Sequence, residues 1–246
     1  MPNSASADQT PEVSVVLPVY NEEGAIADLV AEIATAFQGT PHEIVVVDDG
    51  STDQTRSILQ GLKSTYPQLR PFTHAQNAGQ SRAIRSGVEK AAAPIIVTLD
   101  GDGQNPPHDA PKLVERLKLA PDLGMVQGRR AKRQDNASKR WASRLANGVR
   151  KRLLNDGSDD SGCGLKAIRR DVFLNLPYFD HMHRYMAALV VREGLLVAFE
   201  DVDHRHRTTG TSKYTNLGRL FAALSDLVGV MWLRSRRRQH GQVHEL

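Results

Sequence analysis

Three short apolar runs constrain the fold of this 246-residue chain more than any other feature. They are Val13-Ser14-Val15-Val16-Leu17-Pro18-Val19, Glu43-Ile44-Val45-Val46-Val47-Asp48-Asp49 and Ile95-Ile96-Val97-Thr98-Leu99. Runs this apolar read as buried strands, and each stops at polar groups where water and ligand can enter. Helical segments separate them. One spans residues 22–37 with Asn21 as its N-cap. A second is opened by Ser51-Thr52-Asp53-Gln54, which has capping-box spacing, and runs to about Lys63. A weaker strand over 69–73 leads to the turn Asn77-Ala78-Gly79 and a third helix over 81–91. This alternation predicts an α/β fold with a largely parallel sheet wrapped on both faces.

Ligands of such sheets bind outside the carboxyl ends of the strands. Tyr20 to Glu22, Asp48-Asp49 and Asp100-Gly101-Asp102-Gly103-Gln104 all fall at those ends. Taken alone, the last segment fits a polar strand end or a divalent-cation site equally well. Mg²⁺ or Mn²⁺ takes carboxylate oxygens and keeps positions open for phosphate and water. Three polar sets converging on one crevice favour the ligand site.

Composition narrows the alternatives. The single cysteine, Cys163, excludes an intramolecular disulfide framework and a cysteine-rich metal site, and fits a reducing compartment. Residues 1–10 have neither the basic region nor the apolar core of a secretory signal. The net charge of +4 is unevenly spread, with thirteen Lys and Arg against four Asp between Arg129 and Arg170. Such clustering suits nucleic acid, anionic lipid or a phosphorylated substrate, or else a solvated helix face. Residues 139–154 read as a basic helix, 162–166 as a glycine-punctuated return to the sheet, and 196–202 as a further strand.

Near the end, Leu217, Leu220, Phe221, Leu224, Leu227, Val228 and Met231 recur at helical spacing, an amphipathic pattern. The apolar stretch 220–233 is shorter than the ~20 residues a bilayer span needs. Trp232 followed by Arg234, Arg236, Arg237 and Arg238 reads as a helix lying in a membrane interface. A helix packed on the domain, or in a homodimer interface, is the alternative.

The ordered set Pro18-Val19-Tyr20-Asn21-Glu22-Glu23, Asp48-Asp49-Gly50-Ser51-Thr52-Asp53, Asn77-Ala78-Gly79 and Asp100-Gly101-Asp102-Gly103-Gln104-Asn105-Pro106-Pro107 resembles glycosyltransferase family 2. The likeness is to its dolichyl-phosphate mannose synthase and bacterial polyprenyl-phosphate branch. Gly128-Arg129, residues 161–170 and Arg207-Thr208-Thr209-Gly210-Thr211-Ser212-Lys213-Tyr214 extend it over about 13–214. The resemblance implies a single GT-A domain over 12–215, after a polar tail over 1–11 and before a helix and basic tail over 216–246. It also implies a nucleotide-sugar donor (UDP- or GDP-linked), a divalent metal and a polyprenyl-phosphate acceptor.

Carried over residue by residue, Pro18, Tyr20 and Glu22 would line the nucleobase and ribose pocket. Asp49 would hold base or ribose, with Asp48 behind it. Asp100, Gly101 and Asp102 would meet ribose and diphosphate, and Asp100, Asp102 and Gln104 the metal. Gly103 departs from the family's larger residue, which leaves ligation intact and loosens the turn. Arg129, Lys139, Arg140, Ser143, Arg207 and Lys213 would hold the acceptor phosphate, and Arg130, Lys132 and Arg133 would be surface or membrane-facing charges. Asp160 would act as a base or orient an arginine. A phosphate acceptor, with a second pKa of about 6, needs cations more than a base.

The expected enzyme is therefore an inverting glycosyltransferase, peripheral on the cytoplasmic face of the membrane and acting without nucleic acid. A hydroxyl acceptor on a glycan or lipid is the alternative. A basic nucleic-acid-binding module is more remote, since it gives Asp100 and Asp102 no task. A nicotinamide dehydrogenase is disfavoured because no G-x-G-x-x-G follows the first strand.

Overall fold

The computed structural model describes residues 10–130, 148, 150, 152–205 and 216–236. Strands β1 (Val13–Val19), β2 (His42–Asp48), β3 (Leu69–Thr73) and β4 (Ile95–Thr98) form where the sequence places them. Strands β5 (Leu123–Arg130), β6 (Lys166–Arg169) and β7 (Leu196–Val202) complete a seven-stranded sheet in the order β3-β2-β1-β4-β6-β5-β7. The first four strands run parallel, as do β5 and β7, while β6 lies antiparallel between β4 and β5.

Both faces of the sheet are covered, which explains why β1 and β4 are apolar without alternation. Val13, Val15, Leu17 and Val19 of β1 face helices α1 (Ile26–Ala36), α2 (Thr55–Leu62) and α4 (Ala110–Leu119). Val16 faces the opposite layer, built from α3 (Gln80–Lys90), α5 (Arg170–Asn175) and α6 (Met186–Arg192). After β3 the chain crosses back past β1 to form β4. The carboxyl ends of β1 and β4 therefore flank the point where strand order reverses, which is where such sheets open a crevice.

Two local expectations are corrected. Helix α1 begins at Ile26, and Asn21 is not its cap. Asn21 adopts a left-handed conformation (φ 56°), and its Oδ1 accepts the Thr52 N–H at 2.8 Å. Ser51-Thr52-Asp53-Gln54 forms no capping box either. Asp53 Oδ2 accepts the Glu23 N–H at 3.2 Å, while Glu23 Oε2 accepts the Gln54 N–H at 2.8 Å. The loops after β1 and β2 thus cap one another across the sheet edge. A cap some thirty residues distant satisfies the same donors as a local one, and local spacing cannot distinguish them.

The basic helix expected over 139–154 lies outside the described residues except at 148, 150 and 152–154, which are helical. There the Arg150 guanidinium is buried, ion-paired with Asp156 and 5.6 Å from the Tyr185 ring centroid. In the last helix, α7 (Asn216–Ser235), the described side chains from residue 224 onward are apolar on two sides. Leu227, Val230 and Leu233 pack on the domain, whereas Leu224, Val228, Met231 and Trp232 are exposed. Among the described residues no helix is long and apolar enough to cross a membrane.

Candidate active site

Strand β4 delivers Asp100 to the crevice, and two glycines shape its surroundings. A Cβ on Gly101 would come within 2.6 Å of Val19 Cγ1 and 3.0 Å of the Pro18 carbonyl, so the turn after β4 can lie against β1 only without a side chain. A Cβ on Gly164 would sit 2.3 Å from Asp100 Cγ, so the chain entering β6 lies directly on that carboxylate. Asp102 Oδ1 accepts the Gln104 N–H at 3.1 Å, closing a turn around Gly103 at φ +69°. Glycine adopts that conformation freely, and here it fits the closed turn instead of loosening it.

Asp100, Asp102 and Gln104 bound a cavity of ≈ 490 Å³ together with Arg130, Asp160, Lys166 and His183. Burial, and then the neighbouring Asp102 carboxylate, push the Asp100 pKa above its ordinary value. Lys166, Arg130 and a 2.8 Å hydrogen bond from the Gln80 amide act against that rise without cancelling it. Two mutually repelling carboxylates with an amide oxygen beside them are the donor set a hard divalent cation takes, so these residues fit such an ion.

The cavity's cations are fixed from behind. Arg130 donates from Nε and Nη2 to the two carboxylate oxygens of Asp160, each at 2.6 Å. Burial disfavours the Arg130 charge, and Asp160 more than offsets this, leaving the pKa raised. Lys166 is buried with Nζ donating to the Cys163 carbonyl, and burial lowers its pKa although Cys163, Asp100 and Asp160 act against this. Arg129 points elsewhere. Its Nε donates to Asp201 Oδ1 on β7 at 2.7 Å, and it does not line the cavity. Arg130, expected as a surface charge, is the arginine that faces Asp100.

The other expected residues surround the carboxyl edge of the sheet. Pro18 is buried in β1, while Tyr20 and Glu22 lie in the loop beyond it and keep exposed surface. Asp48 accepts hydrogen bonds from the Ser51 N–H, Arg56 Nε and Thr73 Oγ1 at 3.0–3.2 Å. Asp49 accepts the Ala78 and Gly79 N–H groups at 3.0 and 2.8 Å and lies 2.6 Å from His74 Nδ1. Both are buried: Asp48 ties the end of β2 to the following loop, α2 and β3, and Asp49 ties the loop carrying Asn77 to the ends of β1 and β2. Lys139, Arg140, Ser143, Arg207 and Lys213 lie outside the described residues.

Gln80, Lys166 and His183 also line the cavity. Sequence reasoning assigned them no role. Lys166 stood in a quoted motif, but nothing local marked the other two.

A family model described as "Glycosyl transferase family 2" matches residues 14–176, including both strands that flank the crevice. The chain belongs to that family. It is 36% identical over 222 residues to the undecaprenyl-phosphate 4-deoxy-4-formamido-L-arabinose transferase of Pseudomonas aeruginosa, covering 89% of this chain and 65% of that protein. It is 33% identical over 241 residues to the dodecaprenyl-phosphate galacturonate synthase of Rhizobium johnstonii, covering 95% of this chain and 70% of that one. Two solved structures share the fold at lower identity. A mannosyltransferase from Pyrobaculum calidifontis in complex with GDP-Man and Mn²⁺ superposes with a TM-score of 0.66 at 19% identity, covering 96% of this chain and 67% of that one. Glucosyl-3-phosphoglycerate synthase from Mycobacterium tuberculosis, in complex with Mn²⁺, UDP and glucosyl-3-phosphoglycerate, gives 0.68 at 18%, covering 94% of this chain and 82% of that one. The family 2 chain is thus a single α/β unit of GT-A type, spanning 65% of the length of its Pseudomonas relative.

Proposed function

We propose that this family 2 glycosyltransferase moves one sugar from a nucleotide-sugar donor to a polyprenyl phosphate, with inversion at the anomeric carbon. The observation that carries the reading is one cavity in which Asp100 and Asp102 face Arg130 and Lys166. The named activities of the Pseudomonas and Rhizobium relatives supply the acceptor class.

Asp100, Asp102 and Gln104 would hold the divalent ion, Mg²⁺ or Mn²⁺. When bound it neutralises charge developing on the leaving diphosphate. The protein's own residues do the rest. Asp160 accepts hydrogen bonds from Nε–H and Nη2–H of Arg130 and fixes the guanidinium plane, so the cation meets an incoming phosphate without reorganising. Lys166 adds a second fixed positive group. Because a phosphomonoester is already largely ionised, with a second pKa of about 6, these cations position a nucleophile that needs no base. The engagement of Asp160 by Arg130 favours this over a hydroxyl acceptor, which would require a carboxylate free to take a proton.

We assign Arg130, in place of Arg129, to the acceptor phosphate, and Lys139, Arg140, Ser143, Arg207 and Lys213 to further contacts with it. Pro18, Tyr20, Glu22 and Asp49 we assign to the nucleoside side. The exposed Leu224, Val228, Met231 and Trp232, followed by Arg234 and Arg236, suit a membrane interface. That supports contact with a membrane surface, beside a lipid acceptor, and we assign it to the cytoplasmic face.

The test is a panel of labelled UDP- and GDP-sugars with polyprenyl phosphate, with and without EDTA. A lipid-extractable product lost on chelation is the expected result. Labelling of a soluble glycan, with no labelled lipid from any donor, would overturn the proposal.

A further inference from the structure

Ser81, at the second position of α3, is buried, and its Oγ lies 2.7 Å from Nδ1 of His183, 102 residues away. The same oxygen lies 3.4 Å from the His183 backbone nitrogen. A backbone N–H can only donate, so Ser81 accepts there and its own proton is available to Nδ1. With Ser81 donating to Nδ1, the ring hydrogen is placed on Nε2. The imidazole bounds the cavity that holds Asp100 and Lys166, beside Ile84 and Met186. Burial, reinforced by Lys166 and Arg184, lowers its pKa well below the usual value, so the ring is neutral at neutral pH.

We propose that His183 donates a hydrogen bond from Nε2–H to a hydroxyl of the transferred sugar, with Ser81 holding the tautomer. The assignment rests on the transferase reading and adds a sugar-contacting residue to it. Arg130, Lys166 and Arg184 already supply this cavity with charge for anionic oxygens. A neutral N–H adds direction without charge, which suits a hydroxyl better than a phosphate. Ile84 and Met186 offer the apolar surface against which the C–H face of a sugar ring can lie.

The experiment compares calorimetric binding of UDP and GDP with that of UDP-glucose, UDP-glucuronate and GDP-mannose, all with Mn²⁺, and measures KM for polyprenyl phosphate. His183→Ala is expected to weaken the bound nucleotide sugar about 10-fold while leaving the nucleoside diphosphate within about 2-fold. His183→Gln, whose amide also donates from the ε position, should recover part of the loss. Ser81→Ala should show a smaller loss of the same kind. Equal weakening of diphosphate and sugar nucleotide, or no change in either, overturns the assignment. A rise confined to the KM of the lipid phosphate overturns it in favour of an acceptor contact. If the wild-type protein binds neither diphosphate, the transferase reading itself fails, and the sugar contact with it.

Discussion

Gly164 lies against Asp100 so closely that a Cβ on the glycine would sit 2.3 Å from the Asp100 Cγ. From the other side, Gly101 is pressed on Val19 and the Pro18 carbonyl. The carboxylate therefore has the Gly164 backbone directly against it, while the next residue is held against β1. Gly164→Ala must push Asp100 aside, and a displacement near 1 Å at a reacting site costs about 100-fold in rate. We expect a loss of that size with the fold intact by circular dichroism. Gly103→Ala is the contrast, because a Cβ there meets nothing within 4 Å. Its cost is the positive φ alone, about 1 kcal/mol of stability.

Asp100→Asn should trade activity for stability. The carboxylate is held against burial and the charge of Asp102, both of which disfavour its ionised form. An amide carries no such charge. In metal-free buffer its melting midpoint should exceed that of the wild type, and added Mn²⁺ should raise it less. Differential scanning calorimetry with and without the ion measures both effects. A lower metal-free midpoint would show that the Gln80 hydrogen bond outweighs the repulsion.

The Arg130–Asp160 pair should behave as a unit. Both side chains are mostly buried, so Asp160→Asn leaves a cation enclosed without its counter-charge, at a cost of about 3 kcal/mol. Arg130→Met with Asp160→Leu removes both charges and should cost less than the sum of the single changes. Urea unfolding of the four proteins gives the coupling energy. Additive losses would mean that the two groups do not stabilise one another.

Asp48 sets an acid limit on the fold. Burial alone would raise its pKa, but hydrogen bonds from Ser51, Arg56 and Thr73 leave it below the ordinary value of 3.8. A carboxylate depressed in the folded state contributes its full stability above the unfolded pKa. That contribution is lost as pH falls through the folded value. Asp48→Asn should therefore be less stable than the wild type at pH 6, with the difference closing below about pH 4. Unfolding free energies measured from pH 6 downward test the sign.

Much of the fold could be read from local chemistry. Strands β1, β2 and β4 are apolar enough that a sheet covered on both faces accommodates them, and the polar groups that follow them mark the crevice. Helix starts were less legible. Asn21 and Glu23 accept N–H groups from a loop some thirty residues away, which no local window contains, and Asp53 accepts one from Glu23 beside its local bond from Thr55.

The sequence by itself determined the alternation of strands and helices, and with it the end of the sheet where Asp100 and Asp102 stand, because strand length and apolarity are local properties. Tertiary structure decided which cations meet those carboxylates. Arg129 and Arg130 are adjacent and chemically identical, and strand geometry sends them in different directions. Only the pairing of β5 with β7, and the arrival of Asp160, commits Arg129 to Asp201 and Arg130 to the cavity. His183 and Ser81 meet for the same reason, since contacts between distant segments follow from packing. Among the described side chains of α7, Leu227, Val230 and Leu233 dock on the domain, while Leu224, Val228, Met231 and Trp232 are left exposed.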